Sequence, residues 1–75
     1  MPVMHEQIRP LEVVALIEDL PARGLSRGQV GTLVETLGDG VYEVEFSDDD
    51  GRTYATLALR KDQVMVLRYK PVQAA

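Results

Sequence analysis

The side chains of this 75-residue chain whose types and spacing could do chemistry are mostly carboxylates. Asp48-Asp49-Asp50-Gly51 gathers the oxygen ligands that hard cations prefer. The ligands of an EF-hand loop alternate, however, and end on a Glu at the twelfth position, where this chain has Leu59. Asp50-Gly51 reads instead as a hairpin corner, because both residue types tolerate positive φ. Glu43 and Glu45 would stand about 7 Å apart on one face of a strand, a spacing suited to paired carboxylates. No basic or aromatic residue joins them on that face, and Tyr42, Val44 and Phe46 point the other way, which is the pattern of a solvated strand face. His5, the single histidine, lies in the N-terminal segment beside Glu6, without the second partner that orients a catalytic or metal-binding imidazole. Neither Ser26 nor Ser47 sits in a Gly-x-Ser-x-Gly elbow. With no cysteine, thiol catalysis, disulfides and thiolate metal sites are excluded. The residues therefore point away from an enzyme, with no catalytic residue, cofactor or metal site expected.

Charge is segregated along the chain within its net of −4. From Gly28 to Gly51 the charged residues are all acidic: Glu35, Asp39, Glu43, Glu45, Asp48, Asp49 and Asp50. From Arg52 to Lys70 the balance reverses, with Arg52, Arg60, Lys61, Arg68 and Lys70 against Asp62. Facing each other on adjacent strands, these blocks are expected to cancel, at a few tenths of a kcal/mol to about 1 per pair. Nucleic-acid binding is disfavoured because phosphate contacts need a basic stripe, here without interleaved aromatics for stacking. Tyr42 and Phe46 are expected in the core, whereas Tyr54 either packs in the second half of a barrel or is exposed.

These residues must be positioned by short elements separated at regular intervals, the pattern of a small all-β domain. The breaks fall at Leu20-Pro21-Ala22-Arg23-Gly24, Gly38-Asp39-Gly40, Ser47 to Gly51 and Arg60 to Gln63. Val41 to Phe46 and Arg52 to Leu59 alternate with period two, as strands do. Gly28 to Leu37 has no wholly polar face and reads as a strongly bent strand, with Gly31 lowering the cost of the bend. Leu11 to Leu20 has helical spacing at Val13, Leu16, Ile17 and Leu20. Glu18 and Asp19 would oppose the negative end of such a helix, and a buried strand from Val13 to Ile17 is preferred. Glu18 to Arg27 is then a long loop, a place where function concentrates. It contains no aromatic residue, which disfavours recognition of Pro-rich peptides. The last strand is expected at Val64 to Leu67. Five strands in so short a chain predict a small, partly open barrel of SH3-like layout. Residues 11–70 would form the barrel, flanked by a flexible segment 1–10 and a frayed tail 71–75. The longest apolar run, Val13 to Ile17, is far short of the ~20 residues of a membrane-spanning helix. Met1 to Pro10 lacks the basic and apolar regions of a signal peptide, so a cytoplasmic location without membrane contact is expected.

Four blocks carry a resemblance: Val13 to Pro21, Gly24 to Thr32, Gly38 to Phe46 and Asp50 to Ala55. Together they resemble the small bacterial proteins of domain-of-unknown-function family 4926, over about Leu11 to Leu67. The resemblance implies an SH3-like barrel and hands over no catalytic or ligand residues. Arg27-Gly28-Gln29-Val30-Gly31-Thr32 is more weakly similar to the Gly-rich turn of KOW-type barrels, which bind ribosomal RNA or transcription factors. Such a turn is a signature of fold more than of ligand, because Gly28 and Gly31 permit a tight turn and a close strand crossing.

The expected function is a non-catalytic protein-interaction or accessory module. Open strand edges of a small barrel pair readily with another chain. The expected contacts are Leu20, Arg23, Leu25, Arg27, Tyr54, Arg60 and Lys61, with Val66 and Leu67 adding apolar surface. Gly28, Gly31, Gly38, Gly40, Asp50 and Gly51 are expected to shape the turns. The partner would be an unidentified protein, with the product of an adjacent gene as one candidate, or a second copy in a homo-oligomer. A KOW-like RNA-binding protein using the basic C-terminal third is the alternative, followed by an enzyme completed only at a subunit interface.

Overall fold

The computed structural model of the protein describes residues 11–69. The expected flexible segment 1–10 with His5, Lys70 and the tail 71–75 lie outside the described residues. The strands are β1 (Val13–Leu16), β2 (Val30–Gly38), β3 (Val41–Ser47), β4 (Thr53–Arg60) and β5 (Val64–Val66). They form one 5-stranded sheet in the order β4-β3-β2-β1-β5, with every pairing antiparallel. The fold is all-β, a sheet curled into a small, partly open barrel. β1 takes up the strand alternative because it is bonded on both sides: Val14 pairs with Gly31 of β2 and with Val66 of β5. Two flanking ladders outweigh a weak helical spacing in a β-branched segment.

The inner face carries the core, with Val14, Leu16, Leu33, Val44 and Phe46 fully buried and Tyr42, Leu57, Leu59 and Val64 around them. The alternation read in β3 and β4 places Tyr42, Val44, Phe46, Leu57 and Leu59 inside. Leu25 joins this core at 3% exposure, which corrects its expected place on a partner surface. The loop tucks it in by a local device. Leu20 and Leu25 exchange backbone hydrogen bonds of 2.8 and 3.1 Å around a 3-10 turn at Pro21–Arg23, so the chain folds back and drops the leucine between the sheet halves. Leu20 is half-buried and packs against the same cluster.

β2 bends at register shifts between Leu33 and Glu35 and between Thr36 and Gly38. Gly31 makes the crossing possible, since a Cβ there would lie 2.8 Å from Val44 Cγ1 and 2.9 Å from the Glu45 carbonyl oxygen. Gly28 turns the chain into β2 at φ 93°, a conformation L side chains avoid. Gly38 is itself the last residue of β2, paired with Val41, so the β2–β3 corner is Asp39-Gly40.

The register does not set opposite charges directly face to face on adjacent strands, contrary to the expectation for the two charge blocks. In β3 and β4, Glu43 faces Ala58 and Glu45 faces Thr56, while Glu43 faces Glu35 of β2. One side-chain ion pair is local, between Arg60 Nε and Asp62 Oδ1 at 3.0 Å. The blocks alternate along the sequence, but the register sets small residues opposite the carboxylates.

Candidate interaction surfaces

The loop between β1 and β2 is pinned at both ends by glutamines. Gln63, almost fully buried in the 3-10 turn Lys61–Gln63, donates through Nε2 to Glu18 Oε2 at 2.9 Å and accepts the Arg60 amide at 2.8 Å. At the far end, Gln29 Nε2 donates to the Tyr54 hydroxyl at 2.9 Å. Between these points the Arg27 amide donates to Asp19 Oδ1 at 2.8 Å. Neither glutamine carried a signal in the sequence, because their partners lie 45 and 25 residues away.

The expected contact residues fall into separate places. Leu20, Arg23 and Arg27 lie on the pinned loop, with Leu25 beneath it in the core. Tyr54 is the extra residue of a bulge opposite Phe46 and Ser47. Its ring lies 6.4 Å from that of Phe46 and it is half exposed, so both sequence alternatives hold in part. Arg60 and Lys61 line an open depression with Gly40 and Asp62 at the other end of β4. Arg52 and Arg60 flank opposite ends of that strand, about 27 Å apart at the rise of an extended chain. Arg52 and Arg60 therefore belong to no one compact basic patch.

The aspartate run is a turn device. Asp48 Oδ1 accepts the amides of Asp50 at 2.9 Å and Arg52 at 3.0 Å, and the Gly51 amide donates to the Asp48 carbonyl at 3.0 Å. A carboxylate held by backbone N–H groups closes the hairpin locally, as Asx turns do.

A surface that sequence reasoning missed lies on the outer face of β1 and its two neighbours. Pairing sets Ala15 between Val30 and Met65, and Val13 opposite Thr32, with Ile17 following on the same side. Val30, Ile17 and Met65 are 46%, 42% and 54% exposed. Alternation along β5 puts Leu67, whose amide donates to the Val13 carbonyl at 2.9 Å, on the same face. The signal was present in the uninterrupted run Val13 to Ile17. That segment reads as a buried strand, and Val13–Leu16 is buried or half-buried throughout, but Ile17, one residue past β1, is exposed beside Val30 and Met65, which corrects its expected burial.

No helix among the described residues is long and apolar enough to cross a membrane. Neither a curated protein nor a solved structure matches the chain. The family described as Domain of unknown function (DUF4926) matches residues 11–66, a span that holds all five strands and the pinned loop, and the chain belongs to that family.

Proposed function

We propose that this protein is a non-catalytic interaction module that acts by seating a protein partner on the apolar outer flank of β2, β1 and β5. The observation that supports this is the mismatch at β1, whose residues suit cover on both faces while Val30, Ile17 and Met65 stand exposed around Ala15. A contiguous apolar patch rimmed by polar residues marks an interaction site more often than scattered exposed side chains do. The flank joins three neighbouring strands and is held by backbone ladders on both sides of β1, so it is rigid before binding and association orders little. RNA binding draws no comparable support, because Arg52 and Arg60 stand at opposite ends of β4 and Arg60 is paired with Asp62.

Met65→Glu tests the proposal, because Met65 is exposed and its loss leaves the core intact. A tagged copy co-expressed with the products of adjacent genes should retain a partner that the M65E variant releases. The variant should keep the wild-type circular dichroism spectrum and melting temperature. Equal retention of the partner by both proteins removes the apolar flank from the function.

A further inference from the structure

β4 is an edge strand, bonded to β3 on one side only. Along an antiparallel pair, successive residues turn their N–H and C=O groups alternately toward and away from the neighbour. The Lys61 amide donates to the Gly40 carbonyl at 2.8 Å, one step beyond the Val41↔Arg60 pair. Arg60, Ala58 and Thr56 therefore present their backbone groups to the open side. The Arg60 amide bears out this phase, since it donates away from β3 to Gln63 Oε1 at 2.8 Å. The outward groups of Thr56 and Ala58 have no partner among the described residues.

Natural sheets guard such edges with Lys, Pro, bulges or short length. From Thr53 to Leu59, β4 has neither charge nor proline, and its bulge at Tyr54 leaves Ala55 to Arg60 in regular register. The adjoining outer face indicates what the edge would accept. Glu35 lies directly opposite Glu43, an arrangement in which like charges repel. Glu43 and Glu45 face the edge across Ala58 and Thr56, the small residues opposite them. A strand added beside β4 would lie two strand spacings from β3, about 9.6 Å. A Lys or Arg side chain lying across a small residue and a Glu side chain reaching back together span that gap.

We propose that the β4 edge takes up an extended basic segment of a partner protein, with Lys or Arg at alternate positions, as an added strand bonded to Thr56 and Ala58 and neutralised by Glu43 and Glu45. This surface stands at the margin of the sheet opposite β5 and uses none of the apolar flank.

The probe is a blocked hexapeptide of alternating threonine and lysine, titrated into the isotope-labelled protein and followed by amide chemical shifts. The largest shifts should fall at Thr56 and Ala58, and binding should weaken as salt is raised. Ala58→Pro should abolish the shifts, since proline is tolerated on an edge strand where its missing N–H faces outward. The double variant Glu43→Gln with Glu45→Gln should weaken binding about tenfold, the loss of two charge contacts. M65E should bind as the wild type does, which separates failure here from failure of the apolar flank. Absence of shifts at Thr56 and Ala58, equal binding of a threonine–glutamate peptide, or undiminished binding by E43Q/E45Q would overturn the proposal. So would a wild-type dimer that A58P dissociates, which would assign the edge to a second copy. If A58P does not fold, E43Q/E45Q decides the outcome.

Discussion

A methyl group on residue 31 would meet Val44 Cγ1, the Glu45 carbonyl oxygen and Phe46 Cδ2 at 2.8 to 3.0 Å. Val44 and Phe46 are fully buried and the third atom is backbone, so none of them can move aside without disturbing the β2–β3 crossing. Gly31→Ala should therefore cost about 1–3 kcal/mol as an overpacking substitution. A urea titration should show a lower midpoint at unchanged slope, and a midpoint equal to the wild type would refute the close approach. This role was legible beforehand, since a glycine inside a strand pattern points to a bend or close backbone contact. The role of Asp48 was only half legible. The sequence offers a carboxylate cluster, whereas its use depends on which amides the turn aims at Oδ1.

β3 and β4 could be read residue by residue because one face is wet and one dry, so period-two alternation reports orientation directly. β1 could not, because both of its faces are apolar and such a run says that cover exists without saying who supplies it. The β1–β2 loop was misread at Leu25. Its flanking residues Gly24 and Ser26 are those of a turn, and only the Leu20–Leu25 bridge carries the side chain into the core. Leu25→Ala should cost about 2–4 kcal/mol, as truncation of a buried leucine does. Ile17→Thr, on the exposed face, should change stability by less than about 0.5 kcal/mol. Paired thermal melts check both, and a Leu25→Ala variant melting with the wild type would show that the loop lies free of the core.

Across the whole molecule, strand number, breaks and class followed from local pattern, while the balance of charge did not, because it depends on register. A two-residue shift of pairing decides whether Glu43 meets Arg60 or Ala58, and composition is blind to that choice. The sheet order also has a topological consequence. Because β1 and β5 are neighbours, with the Leu67 amide bonded to the Val13 carbonyl at 2.9 Å, the beginning and end of the described barrel run side by side. The described chain thus returns beside its own start, although β4 and β5 remain the two edges of the sheet. A circular permutant opened at the solvent-exposed turn between Asp49 and Asp50, with the original ends joined by a flexible linker, should refold to the same sheet. A permutant that loses its strand spectrum would show that the β3–β4 hairpin must be continuous for folding to start. One that retains it would allow tags or partner segments to be carried at the hairpin tip, away from the margin where β1 and β5 meet.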